Sequence, residues 1–359
     1  MKRVCLTLGR FIAACSDSTT QPAADGGVDA PAVSNTDSGT GTDSGTNTDA
    51  GDAGGGGDAA VETPTRIYAT FVTHNEQSNN IPCKDVVDPT KQTEYLNNRA
   101  ATITFAKTIA DAGGAYDLQS DLTYIEQINL FDNASVTAST GGKNLFKYLN
   151  EFAPGKVTVD MHSHEKSGVG GFNSADVAEA LDKLGVPANG VVGGFIASPA
   201  KDENWTRFRS PMKAIRSSYQ WSAKLLWGGG SANHVNDPKA SGMWRPKSPD
   251  EFMVDDPAQT LPNIGGYADI SKDDYAVALT SLIDMLKTNK LEKNRMYTIT
   301  LMTPQCNLHR DATLTEKAKS TIAAHTADVA AGLLVWTTLS DALNTWKTAY
   351  KSQAVILPR

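Results

Sequence analysis

The 359-residue chain is poor in cysteine, in aromatic residues and in long apolar runs. No stretch of about 18 consecutive apolar residues occurs, so the sequence predicts no membrane-spanning helix. Lysine and arginine form no basic stripe and the formal net charge is -7, which argues against nucleic acid as a partner. There is also no Walker loop, no serine nucleophile elbow, no H-E-x-x-H, no C-x-x-C, and no G-x-G-x-x-G after a strand. These absences argue against the nucleotide-binding proteins, serine hydrolases and metal-binding proteins that depend on those motifs.

The first 15 residues have the pattern of an export signal. Lys2 and Arg3 give a basic start, a short apolar run follows, and Ile12-Ala13-Ala14-Cys15 resembles the lipobox of bacterial lipoproteins. In that family the cysteine is acylated and becomes the mature N-terminus. We therefore predict a signal peptide over residues 1–15, lipidation of Cys15, and anchoring at the cell envelope, on the outer membrane or cell surface. The alternative is an ordinary disordered N-terminus.

Residues 16–64 are rich in Ser, Thr, Asp and Gly and contain almost no large apolar residue. Such a segment cannot bury enough apolar surface to offset its chain entropy, so we predict a disordered linker. The remaining residues, 65–359, have a normal size for one α/β barrel. If Cys5 and Cys15 belong to the signal and the lipid anchor, Cys83 and Cys306 remain and are expected to form a disulfide. The alternative is two buried free thiols.

Predicted strands and helices alternate after residue 65. The strands are 66–73, 116–119, 156–162, 190–197, 295–302 and 333–336, and the helices are 94–112, 121–130, 144–152, 174–184, 272–288, 314–331 and 340–350. Residues 198–266 form a long irregular stretch. The alternation predicts parallel pairing with right-handed crossovers, and we expect a distorted α/β barrel of the (β/α) type. An open doubly wound sheet is the alternative.

Polar clusters lie at the ends of three of the predicted strands, at 74–76, 162–165 and 303–305, where barrels carry their functional groups. The third strand ends in Asp160 and His162, and His164 and Glu165 follow it. Alternate strand residues share a face, so both imidazoles would point the same way and suit a divalent metal, with zinc the expected ion. Asp160 or Glu165 would then be a ligand, an orienting group or a base. The alternative is a hydrogen-bonded pair of structural histidines.

The first strand ends in His74 and Glu76, which also share a face. We expect Glu76 to join the two histidines as a metal ligand and His74 to act beside them, with a polar capping turn as the alternative. A third feature is the irregular stretch, which contains most of the tryptophans. We predict substrate contacts there because flat aromatic faces suit sugar rings, although a locally packed core is an equal alternative. The residues are Trp205, Trp221, Trp227, Trp244 and Arg245.

The order of these parts resembles the polysaccharide deacetylase barrel and, more broadly, the glycoside hydrolase/deacetylase superfamily. The resemblance rests on the strand ends at 70–76 and 159–163 and on the last strand and helix at 333–350. It implies a metal held by one acidic residue and two histidines, an acidic base, and a late histidine as acid. His162 matches the first family histidine. Lys166 stands where the second is normal, so His164 would substitute.

The leading hypothesis is a metal-dependent hydrolase of amide or ester groups on carbohydrate, with Glu76, His162 and His164 as metal ligands. Asp160, Glu165 and His74 are the candidate catalytic groups. At the late strand the family histidine is replaced by 303-Thr-Pro-Gln-305, so His309 or His234 would have to act as the acid. One alternative is a non-catalytic lipoprotein that binds glycan or metal. Another is an amidohydrolase-like or phosphoesterase site, because H-x-H also resembles a motif of those metal hydrolases.

Overall fold

The structure is a computed structural model and describes residues 63–75, 89–166, 168–196, 205–229, 239–272 and 274–359. The predicted signal peptide, Cys15 and nearly all of the predicted linker lie outside the described residues. No helix among the described residues has the length and apolar character needed to cross a membrane.

Strands and helices alternate through most of the described chain. The strands are β1 (Arg66–His74), β2 (Tyr116–Ser120), β3 (Val157–His162), β4 (Val191–Ile196), β5 (Met212–Lys213), β6 (Gln220–Trp221), β7 (Leu225–Gly229), β8 (Met243–Trp244), β9 (Asn263–Ile264), β10 (Tyr267–Asp269), β11 (Met296–Pro304) and β12 (Leu334–Trp336). The helices are α1 (Gln92–Asp111), α2 (Leu122–Phe131), α3 (Ala134–Thr137), α4 (Leu145–Phe152), α5 (Ser174–Lys183), α6 (Asp274–Lys287), α7 (Asn307–Arg310), α8 (Thr313–Ala324), α9 (Thr326–Ala330) and α10 (Leu339–Thr348).

Most strands belong to one sheet in the order β10-β11-β1-β2-β3-β4-β7-β9-β8, with β12 also paired to β1. All pairs in this sheet are parallel except β8 with β9. The strands β5 and β6 form a separate antiparallel pair. The fold is therefore the predicted α/β class with parallel strands.

The sheet curls into a barrel that is not fully closed. The short strands β9 and β10 are separated by only Gly265 and Gly266, yet β9 pairs with β7 and β10 pairs with β11. At this seam between β9 and β10 the Thr298 hydroxyl lies within hydrogen-bonding distance of the carbonyl oxygens of Gly242 and Gly265, either of which can accept its single proton, and the Gly242 N–H donates to the same hydroxyl. A Cβ on Gly266 would lie 2.3 Å from the Thr298 carbonyl oxygen, so the seam requires glycine there.

The core has two parts, one on each side of the barrel wall. Ile67, Ala69 and Phe71 of β1 pack outward against the helices, whereas Tyr68 and Val72 point into the barrel. The inward cluster also contains residues of α10, which cover the end of the barrel where the strands begin. That end is packed with apolar and aromatic side chains. The opposite end, where the strands finish, carries the polar residues.

The predicted irregular stretch is the main correction to the element boundaries. It contains β7 and β9, and β10 follows directly, so part of the barrel wall comes from it. Each of these strands is short and lies beside glycines, which left too little apolar alternation to identify it. The predicted helix 314–331 is divided at His325 into α8 and α9.

Candidate functional site

Two histidines face each other at the end of the barrel where the strands finish. His74 is the last residue of β1 and His162 the last of β3, on either side of β2. Their ring centroids are 4.7 Å apart, with an angle of 38° between the ring planes. Both side chains are buried. The structure thus brings together two imidazoles that lie 88 positions apart in the numbering, and we refer to this end of the barrel as the mouth.

Two glycines of β4 make room for the His162 ring. A Cβ atom on Gly194 would lie 2.8 Å from Nε2 of His162, and Gly194 has a φ of 82°, which favours glycine. A Cβ on Gly193 would lie 2.9 Å from Nδ1 of the same ring and 1.8 Å from Oε1 of Gln119. The backbone of β4 therefore approaches the imidazole as closely as it does only because residues 193 and 194 have no side chain.

A small cavity opens beside the two histidines. It holds about 20 Å³, enough for roughly one water molecule. The Trp227 ring also borders this space, with its centroid 6.3 Å from that of His74. The remaining side chains of the wall are Ile264, Tyr267, Thr300 and Met302. The mouth thus combines imidazole nitrogens with a hydroxyl and a mostly apolar surround.

Two carboxyl groups lie deeper in the barrel, beneath His162. Asp160 and Asp117 have no exposed surface, and their carboxyl groups are close enough to interact electrostatically. Burial raises the pKa of Asp160 to about 6. Burial and the neighbouring Asp160 charge raise the pKa of Asp117 well above its usual range. Because two adjacent buried carboxylates repel, the pair is expected to hold a proton at neutral pH.

The loop after β3 carries the other two predicted members of the first cluster, His164 and Glu165. The ring centroids of His164 and His162 are 5.2 Å apart in an edge-to-face arrangement. One carboxylate oxygen of Glu165 accepts hydrogen bonds from the backbone and hydroxyl of Ser174 at the start of α5. Its other oxygen pairs with Arg207 at 3.0 Å. In this conformation Glu165 holds the loop to α5, and both of its oxygens are engaged.

The predicted substrate-binding tryptophans divide between the mouth and the core. Trp227 borders the cavity. Trp244 is completely buried and donates from Nε1 to the carbonyl oxygen of Phe252, and Trp221 is also a core residue. Arg245 forms a two-point ion pair with Asp255. The local-core alternative therefore accounts for Trp221 and Trp244. The side chain of Trp205 lies outside the described residues.

The predicted metal ligands are described only in part. Within the described ranges, no group of three His, Cys, Asp or Glu side chains is placed to hold a metal ion. Glu76 lies outside the described residues, as does Cys83. Cys306 is disulfide-bonded, and its pairing with Cys83 stays a prediction. The facing pair His74 and His162 supplies two imidazole donors, which is part of the ligand set that a catalytic zinc needs.

Several residues of this region were not identified from the sequence. Asp117 and Gln119 alternate in β2 with Tyr116 and Leu118, which pack outward, so both polar side chains point into the barrel. Thr300 reaches the cavity from β11. The sequence Tyr-Asp-Leu-Gln-Ser of β2 could have indicated Asp117 and Gln119. Polar residues alternate there with apolar ones in a strand that lies between two buried strands, and this pattern places the polar side chains inside a barrel.

Of the two predicted substitutes for the late-strand acid, His309 does not line the described part of the cavity. His309 lies in α7, half-buried, and burial lowers its pKa. Gln305 is buried beside Thr102 and Tyr124 of the outer helices. His234 lies outside the described residues. The described late-strand groups at the mouth are therefore the hydroxyl of Thr300 and the side chain of Met302.

Comparison with known proteins gives only distant structural likeness. No protein-family model and no curated protein sequence matches the chain. A protein described as a glycoside hydrolase/deacetylase from Parabacteroides distasonis is similar over 81% of this chain and 73% of its own, at 10% identity and a TM-score of 0.47. An allantoinase is similar over 79% and 90%, at 11% identity and a TM-score of 0.45. The 4-alpha-glucanotransferase of Thermococcus litoralis is similar over 78% and 40%, at 10% identity and a TM-score of 0.42.

Proposed function

We propose that the protein is a hydrolase that removes amide- or ester-linked groups, such as N- or O-acetyl, from carbohydrate at the mouth of the barrel. The observation that supports this most directly is the facing pair of buried imidazoles, His74 and His162, at the ends of two parallel strands. Functional groups of α/β barrels are built at this end. The carbohydrate substrate class is supported by the resemblance of the sequence to the glycoside hydrolase/deacetylase superfamily.

A divalent metal fits these donors in part. His162 would hold it together with the predicted ligands Glu76 and His164, and His74, whose ring centroid is 4.7 Å from that of His162, is a further imidazole donor. When bound, such an ion polarises a carbonyl oxygen and lowers the pKa of a coordinated water. The described residues then have clear tasks. Trp227 offers a flat apolar surface beside the imidazoles, and Thr300 offers a hydroxyl to a polar group of the substrate.

The buried carboxyl pair contributes by fixing the strand that carries His162. Asp160 precedes His162 by two residues on the same face of β3, and Asp117 accepts a hydrogen bond from Thr158 on that face at 3.0 Å. These contacts tie β2 to β3 directly below the imidazole. A histidine on such a braced strand keeps its position when substrate enters. Precise placement of reacting groups is one of the larger contributions to enzymatic rate.

The experiment is metal analysis of the mature protein together with acetate release from acetylated glycans. Wild-type protein should retain about one divalent metal per chain and release acetate, and chelation should abolish release. His74→Ala and His162→Ala should each lose both properties. His325→Ala is the matched control, because His325 is also a buried histidine but pairs with Asp328 and does not line the cavity. It should behave as wild type.

Other outcomes would redirect the proposal. Glycan binding that survives chelation and both mouth variants, without acetate release, would instead indicate a non-catalytic glycan-binding protein. Release of phosphate from aryl phosphates would indicate a phosphoesterase. Loss of acetate release in His325→Ala to the same extent as in His162→Ala would show that the assay reports folding instead of chemistry.

We also propose that the protein is exported and anchored at the cell envelope through a lipid on Cys15. The lipobox-like sequence before Cys15 and the Ser/Thr/Asp/Gly-rich segment after it support this. Metabolic labelling with a fatty acid tests the proposal. Wild-type protein should incorporate label and sediment with membranes, whereas Cys15→Ala should do neither. Equal labelling of the two proteins would contradict lipidation at this residue.

A further inference from the structure

Gln119 of β2 lies between the strands that carry His74 and His162, and neither of its amide atoms has a hydrogen-bond partner among the described residues. It has no exposed surface. In the register of the sheet it lies opposite His74 on one side and Asp160 on the other. A buried amide that has lost its water and gained nothing in return is costly. The fold nevertheless places this side chain between the elements that carry the two facing histidines.

The amide oxygen of Gln119 and one ring nitrogen of His162 both lie close to residue 193 of β4. Oε1 of Gln119 and Nδ1 of His162 lie 1.8 Å and 2.9 Å from the single point that a Cβ on residue 193 would occupy. Residue 193 is also the register partner of His162. Glycine at this position therefore leaves a space into which the amide oxygen and one imidazole nitrogen both point. The other nitrogen, Nε2, lies towards Gly194, which borders the cavity.

We propose that Gln119 is a positioning residue that fixes the tautomer of His162. In the arrangement we propose, a small rotation of the amide brings Oε1 to Nδ1–H, and pairing of these two atoms leaves the lone pair of Nε2 directed at the cavity. A neutral imidazole has one donor and one acceptor nitrogen, and the partner of one nitrogen decides the role of the other. A ring held this way presents Nε2 as a ligand or proton acceptor. The role of Nε2 rests on the proposed function, but the tautomer does not.

The test is nitrogen NMR of metal-free protein labelled at histidine, recorded at a pH where His162 is neutral. The His162 signals are assigned by their loss in His162→Asn. Wild-type protein should show the Nδ1–H form as the dominant species. Gln119→Met keeps the length of the side chain but removes the amide, and it should shift the tautomer ratio by about fivefold, the effect of one hydrogen bond of ordinary net strength. Gln119→Glu retains an acceptor and should preserve the wild-type form.

Two results would overturn the proposal. One is a dominant Nε2–H form in wild-type protein, which requires no variant and so remains decisive if Gln119→Met does not fold. The other is an unchanged tautomer ratio in folded Gln119→Met. Acetate release and metal content, measured on the same samples, report separately on the proposed function. A protein with the expected tautomer but no hydrolysis would retain this inference and lose the activity.

Discussion

The close packing of Gln119 against Gly193 gives a prediction that depends on one interatomic distance. In Gly193→Ala the new methyl group would lie 1.8 Å from Oε1 of Gln119, far inside normal contact. Residue 193 is not among the glycines with positive φ, so alanine introduces no backbone strain and the effect is steric. Because the His162 ring closes the site from another side, at 2.9 Å, the methyl group has little room to be accommodated.

Overpacking of a buried site typically costs about 1–3 kcal/mol. We expect Gly193→Ala to lie near the upper end of that range, because Gln119 must leave a fully buried position. Gln119→Ala alone should also destabilise the protein, since it opens a cavity. In the double variant the new methyl group occupies space that the glutamine has vacated. The double variant should therefore be more stable than the sum of the single effects by about 1.5 kcal/mol or more.

The assay is urea unfolding of the four proteins, followed by tryptophan fluorescence and far-ultraviolet circular dichroism. The coupling free energy comes from the differences between the four unfolding free energies, provided that the two probes coincide. Gly193→Ala with wild-type stability would refute the reasoning, because residue 193 would then have room for a methyl group, contrary to the distances in the structure. Strictly additive effects would show that the methyl group clashes with something other than Gln119.

Three further predictions concern the carboxyl pair, a buried ion pair and the mouth. Asp117 has a raised pKa in the folded state, so the folded protein is at its most stable below the ordinary aspartate pKa, where the carboxyl is protonated, and loses stability as the pH rises. The amide of asparagine carries no charge to bury. Asp117→Asn should therefore unfold at a higher urea concentration than wild type at pH 7.5 but not at pH 4. Asp132→Ala should cost about 3–5 kcal/mol in urea unfolding because it leaves the Arg99 guanidinium buried without its carboxylate, and an unchanged midpoint would contradict this. Trp227→Ala should weaken glycan binding about tenfold or more by titration calorimetry, whereas Trp336→Ala, which removes a ring stacked on Phe71, should leave it unchanged.

The sequence was informative where the chain repeats a simple physical pattern. Continuous apolar strands followed by helices predicted the parallel α/β fold. Polar residues at strand ends singled out His74 with Glu76 and His162 with His164, and the structure places the rings of His74 and His162 4.7 Å apart. The pairing of those two could be anticipated because parallel strands finish on the same edge. Whether the third ligand is Glu76 stays a prediction, because that residue lies outside the described part.

What the sequence did not reveal depends on tertiary placement. Trp244 and Arg245 look like exposed binding residues in a polar, glycine-rich stretch, yet one is fully buried and the other is paired with Asp255. The strand β7 is too short for its alternation to be distinguished from a loop. Gln119 carries no motif, and its importance appears only when Gly193 of another strand is seen to leave space for it.

The two ends of the barrel differ in a way that bears on function. At the end covered by α10, the interior is filled by aromatic and aliphatic side chains, and the hydroxyls of Tyr68 and Tyr350 lie 3.3 Å apart. At the mouth the interior contains two imidazoles, an amide and two carboxyl groups, all of them buried. Polar groups in such positions cost stability unless they are fully bonded, and apolar residues of similar volume would often be as stable or more so. The same chain shows at its other end that it can pack this barrel with apolar side chains. Stability alone therefore does not account for the polar mouth, which is the physical reason to seek the activity there.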